Sequence, residues 1–207
     1  DWYALRSHCW IYGAVALQMM GDLAEVHNWI DQGQREDLML EDGPQVRNAA
    51  AEGFVCWMIA DLTGLQRVGE FMLSVISETS RWQSYGWAHY FLACVHYHHN
   101  DLDNAQYHAQ QTFEHRYVNH VSANFISSFI IALIQQAKGN PEEANETLAL
   151  ASDYAMEIRS PTLMLIIQSF EAELAVMQGR ARDWNQWAEQ ANANLQLSAM
   201  PFFYAPL

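Results

Sequence analysis

Seven histidines, His89, His96, His98, His99, His108, His115 and His120, crowd into 32 residues of the chain. Imidazoles at that density are the first candidates for metal ligation or proton transfer. Their spacing argues against a metal centre. On a helix His96 and His99 share a face at i, i+3, and His89 lies one heptad before His96, but His98 projects elsewhere and no cysteine or carboxylate completes a zinc spacing. Polar or turn-capping histidines are expected instead, with no metal and no other cofactor. Cys9, Cys56 and Cys94 form neither a metal spacing nor an even disulfide framework, and no feature near Cys94 gives a reason for a depressed thiol pKa. The serines lack a G-x-S-x-G elbow, and no G-x-x-x-x-G-K-[ST] phosphate loop is present. Glu142, Glu143 and Glu146 stand at a helix start, where their charge complements the helix dipole. A binding segment rather than an enzyme is expected.

Charge narrows what can be bound. The formal net charge is −14 and Lys138 is the only lysine, so the field around the chain repels phosphate backbones and anionic lipid surfaces. Neither nucleic acid nor a membrane is expected as a direct partner. The longest apolar run, Phe125 to Ile134, is interrupted by Ser127 and Ser128 and falls short of the roughly 20 residues that a bilayer span needs. No secretory leader opens the chain, and the scattered cysteines suit a reducing compartment, so a cytoplasmic location is expected. The beginning at Asp1 inside an apolar pattern and the aromatic end at Met200 to Leu207 read as cuts from something longer.

The elements that carry these residues read as helices throughout. Apolar residues recur at three- and four-residue spacing, and no sustained alternation marks a strand. Breakers fall at Gly21-Asp22, Gly64-Leu65, Asn100-Asp101, Gly139-Asn140-Pro141 and Gly179-Arg180, giving intervals of 43, 36, 39 and 40 residues, which is a repeat period. Gly or Asn tolerates the left-handed conformation that ends a helix, and the Asp or Asn that follows can cap the next one. Pro44, Pro141 and Pro161, the last after a Ser160 cap, mark helix starts. The predicted helices are 3–20 with 22–33, 44–63 with 65–79, 81–99 with 101–115, 118–138 with 141–158, and 161–178 with 181–196, all in one domain spanning 1–207. Seven residues before the breakers stand Ala14, Trp57, Ala93, Ala132 and Ala172, and five after them Val26, Gly69, Ala105, Ala144 and Trp184. Small residues at these places let paired helices approach closely; Trp57 and Trp184 are the exceptions, and local splaying is expected there.

The run Phe91 to Ala105, with its small–turn–small spacing, resembles a tetratricopeptide hairpin, although the period near 40 exceeds the usual value of about 34. Together with Gln136 to Ala144 and Ser169 to Gly179, that longer period is similar to the repeat region of MalT-like, LuxR-type ATP-dependent transcriptional regulators. Trp187-Ala188-Glu189 and Pro201 to Tyr204 add to the likeness, which covers roughly residues 8 to 207. The resemblance implies an all-α, right-handed superhelical solenoid of about five antiparallel pairs. It also implies an effector-sensing or protein-docking role, with ATPase and helix-turn-helix modules elsewhere in a parent chain. In the tetratricopeptide register the first helix of each pair lines a concave groove. The expected groove residues are Trp87, Tyr90, Cys94, Tyr97 and His98, joined by Phe54 and Met58 and by Phe129, Leu133 and Gln136. Aromatics there suit a protein or small-molecule effector, and packing in the core is the competing use of the same side chains. A constitutive scaffold that holds a protein partner or a second copy of the chain is the alternative role.

Overall fold

The computed structural model describes residues 2–37, 39, 46–76, 82–115 and 121–180. Among the described residues there are nine helices and no strand. The helices are α1 (Trp2–Met20), α2 (Leu23–Asp37), α3 (Val46–Met58), α4 (Leu62–Val75), α5 (Trp82–His98), α6 (Leu102–Glu114), α7 (Val121–Ala137), α8 (Pro141–Glu157) and α9 (Pro161–Met177). The expected helix at 181–196, with Trp184, and the expected start at Pro44 lie outside the described residues, as do His120 and the 201–204 segment. None of the described helices is long and apolar enough to cross a membrane.

The same turn recurs along the chain. Left-handed residues stand at Gly21, Ala60, Asn100, Gly139 and Gly179, at intervals of 39, 40, 39 and 40. After each, the next amide donates to the carbonyl five residues back: Asp22 to Leu17, Asp61 to Cys56, Asp101 to His96, Asn140 to Gln135 and Arg180 to Ala175, at 2.7 to 3.0 Å. This is the Schellman closure, which satisfies carbonyls that the end of a helix would leave without a donor. Arg159 at φ +54° makes a sixth such turn between α8 and α9, with the Ser160 amide on the Ala155 carbonyl at 3.3 Å.

The second turn corrects the expected position. The turn is at Ala60, and Gly64 lies inside the first turn of α4, where its amide donates to the capping Asp61 Oδ1 at 2.9 Å. A side chain at residue 64 would meet the Asp61 carboxylate and, at 2.8 Å, the Cys56 sulfur. Gly64 is thus required by close approach rather than by left-handed backbone. With the register corrected, Gly53 replaces Trp57 seven residues before the turn, and Ala14, Gly53, Ala93, Ala132 and Ala172 are all buried. The position five residues after the turn becomes Leu65 instead of Gly69, and Val26, Leu65, Ala105 and Ala144 are likewise buried.

Two compact units divide the chain, residues 1–95 and 96–207. In the first, α1 packs on α2 and α3, and α3 packs on α4. The core there is built from Ile11, Val26, Leu65, Met72 and Phe91, each less than 2 % exposed. A buried polar chain crosses it. Asn48 donates its amide to the Ser7 hydroxyl, which donates to the Gly33 carbonyl at 3.2 Å, so α3, α1 and α2 are pinned at one point. In the second unit α7 packs on α6, α8 and α9, and α8 packs on α9, around Phe125, Phe129, Ile130, Ile134, Leu148 and Phe170.

Ala60 at φ +57° carries strain that glycine does not. The Ala60→Gly variant is expected to gain about 1 kcal/mol, seen as a rise in Tm of roughly 2–4 °C for a chain of this size. At Gly53 an added side chain would run into the fully buried Phe91 ring. Gly53→Val is expected to destabilise by about 2 kcal/mol in denaturant titration, although helix propensity alone favours valine.

Candidate functional site

In the first unit, the expected groove residues turn out to hold the helices together. Trp87, Tyr90 and Cys94 are 7 %, 1 % and 1 % exposed, which corrects their assignment to an open groove. The cause is the aromatic density of α5. Phe54 of α3 meets Trp87 edge-on at 4.6 Å between centroids and Phe91 at 5.4 Å, while Trp87 reaches Tyr90 at 5.9 Å. Offset and edge-to-face pairs of this kind fill the space that Gly53 leaves open. Phe54 and Met58 remain half-buried.

The thiols there are poor nucleophiles. Burial raises Cys94 to about 12, and Tyr90, one helical turn away, is pushed up by its own burial and by the neighbouring thiol. Cys56 rises to about 11, first through burial and then through the carboxylates of Glu52 and Asp61. A thiol at such values carries almost no thiolate at neutral pH. Glu52 has other work, accepting from Arg67 at 2.5 Å and from the Gln34 amide at 2.7 Å.

In the second unit the expected residues separate into a core pair and a polar set. Phe129 is fully buried and stacks parallel on Phe170 at 4.2 Å, and Leu133 beside it is 4 % exposed, so both are core rather than groove surface. Tyr97 and Gln136 are half-buried, and His98 is exposed. Each of Tyr97 and Gln136 stands three residues before a left-handed turn, the one before Asn100 and the other before Gly139. Gln136 Oε1 accepts from Gln178 Nε2 at 2.9 Å, which ties α7 to the end of α9 and leaves the Gln136 amide hydrogens for other acceptors.

Glu173 on α9 joins this set and was missed from the sequence. Its carboxyl is half-buried and burial raises its pKa; the Tyr97 hydroxyl is raised by burial and then by the charge of Glu173. Tyr97 and Glu173 thus feel one another electrostatically, and Gln136 is a further half-buried polar group of the same unit. The signal for Glu173 was present: it lies six residues before Gly179, as Phe54, Cys94 and Leu133 lie six before Ala60, Asn100 and Gly139. Extending that register into the fifth pair would have found it.

The histidines sort by local role. His96 Nδ1 faces Asp101 Oδ2 at 3.1 Å, and Asp101 also caps α6 by accepting from the Asn104 amide. Its carboxyl is held low mainly by the Asn104 side chain. His96 and His108 stack nearly parallel at 5.4 Å, His115 Nδ1 meets the Gln111 carbonyl at 2.8 Å, and His89 is buried edge-on against Tyr85 at 4.3 Å. Among the described residues no group of three or more His, Cys, Asp or Glu side chains could hold a metal ion.

His108 is strongly shifted by its place in this hairpin. Burial, and then the charge of His96, lowers its pKa from 6.5 to about 4. The unfolded chain takes up that proton near pH 6.5, whereas the folded chain resists until about pH 4. Stability from this group is whole above the unfolded value and is lost as pH falls through that window. The His108→Phe variant keeps a ring without a titrating group, and its Tm is expected to fall less between pH 6.5 and 4 than that of the unaltered chain. Equal slopes would remove His108 from the explanation.

Comparison of the chain with protein-family models, with curated proteins and with solved structures gives no match in any of the three.

Proposed function

We propose that the chain is a right-handed solenoid of about five antiparallel, tetratricopeptide-like helix pairs, serving as the effector-sensing or protein-docking part of a cytoplasmic transcriptional regulator. The observation that carries this reading is the recurrence of one left-handed, Schellman-closed turn at intervals of 39 and 40 residues, each preceded by a buried small residue. Repeats that each contact only their neighbours are used to display extended recognition surfaces. The resemblance of Gln136 to Ala144 and Ser169 to Gly179 to MalT-like regulators supplies the rest, including the ATPase and DNA-reading modules expected in a parent chain.

Recognition centres on Tyr97, Gln136 and Glu173. A phenol, an amide and a carboxylate select a ligand that brings hydrogen-bond donors, and the net charge of −14 favours a neutral or cationic one. The ligand acts by preferring one packing state of the repeats over another, because only a difference in affinity between states can shift their balance. A constitutive scaffold is the second reading, favoured by the exposed apolar side chains of α1, among them Trp2, Leu5 and Tyr12.

Tryptophan emission reports binding, since the chain holds eight tryptophans. Titration with a panel of neutral and cationic metabolites and of basic helical peptides is expected to yield a ligand whose affinity falls about tenfold in Tyr97→Phe and in Glu173→Gln. A ligand bound equally well by both variants would move the site elsewhere.

A further inference from the structure

Two joints of the second unit are closed by the same polar clasp. Lys138, one residue before the left-handed Gly139, donates its ammonium to Gln106 Oε1 at 2.8 Å, and Gln106 lies six residues after the left-handed Asn100. Gln178, one residue before Gly179, accepts at Oε1 from Asn145 Nδ2 at 3.3 Å, and Asn145 lies six residues after Gly139. The end of α7 is thus tied to the start of α6, and the end of α9 to the start of α8, through the same two positions of the repeat.

The two clasps differ in charge. At the α8–α9 joint two neutral amides meet, braced by the Arg180 guanidinium, which donates to Gln178 Oε1 at 2.8 Å and to Asn145 Oδ1 at 3.2 Å. At the α6–α7 joint an ion pair is added, because the Lys138 ammonium also reaches Asp103 Oδ1 at 2.9 Å. Within residues 96–115 and 121–158 Lys138 is the only Lys or Arg, against eight Asp and Glu, so no other Lys or Arg there can take its place. The Lys138 side chain is 32 % exposed and that of Asp103 94 %. Water and dissolved ions therefore reach the pair, and salt screens such an attraction far more than a hydrogen bond between neutral groups.

We propose that the α6–α7 joint is a charge-operated conformational device: rising ionic strength loosens the Lys138 clasp and frees the last turn of α7 from α6, while the amide clasp of the α8–α9 joint holds. Salt has the opposite effect on the chain as a whole. Screening eases the self-repulsion of a net charge of −14 and so steadies the fold, which makes loosening at one joint a distinct signature. Loosening confined to one joint gives it two packing states whose balance the surrounding medium sets.

The only lysine of the sequence supplies the readout, since the full chain labelled with carbon-13 lysine gives a single ε-methylene signal. Between about 10 mM and about 1 M NaCl that signal is expected to pass from the slow motion of a held side chain to the fast motion of a free one. Asp103→Asn is expected to show the faster motion already at low salt. Hydrogen exchange reads the joint itself. The Lys138 and Asn140 amides are bonded to the Ile134 and Gln135 carbonyls at 2.9 Å, and the Gln178 and Arg180 amides close α9 in the same way. At high salt the first two are expected to exchange about twofold to fivefold faster relative to the second two. Lys138→Gln, which places in α7 the residue that α9 carries, and Asp103→Asn are each expected to remove that relative change. A Lys138 signal indifferent to salt overturns the proposal, as do equal responses at the two joints or a relative change that survives both substitutions.

Discussion

The Schellman-closed turn is the constraint on which the rest of the chain depends. A single left-handed residue reverses the backbone, and the amide after it seals the end of the helix by reaching five residues back. The following residue is Asp or Asn at four of the five recurrent turns, and at Asp61 and Asp101 its side chain also receives the first free amides of the next helix. The small residues seven positions earlier, Ala14, Gly53, Ala93, Ala132 and Ala172, are all buried.

Much of this was legible in the sequence because helix punctuation is local. Gly21, Asn100, Gly139 and Gly179 announce themselves, and the helix boundaries drawn from them and from Pro141 and Pro161 agree closely with those found. The second turn was misread because two glycine uses look alike in a sequence. Gly64 is there to let the Asp61 cap and Cys56 come close, while the strained turn position is taken by Ala60, which carries no turn signature. The error disguised Gly53 and left Trp57 as a false exception.

The candidate site was less legible, since aromatic side chains serve a core and a groove equally well and only burial separates the uses. Trp87, Tyr90, Cys94 and Phe129 went to the core, Trp87 against Phe54 and Phe129 against Phe170. Tyr97 and Gln136 kept a polar edge because they stand near the ends of their helices. Glu173 was overlooked as one acidic residue in an acidic chain, although desolvation and its effect on Tyr97 distinguish it from Glu142 or Glu143, which are exposed.

Lys138 sits one residue before Gly139, and its ammonium donates to Asp103 Oδ1 at 2.9 Å and to Gln106 Oε1 at 2.8 Å, fastening α7 to α6. Since the chain has no other lysine, this bond is carried by its only side-chain amine. Acylation at that one nitrogen removes the charge and the donors together, and the acidic first turn of α6 then has no lysine left to answer it. A chain so poor in lysine concentrates amine chemistry at a single helix junction, so one covalent event there registers as a structural one.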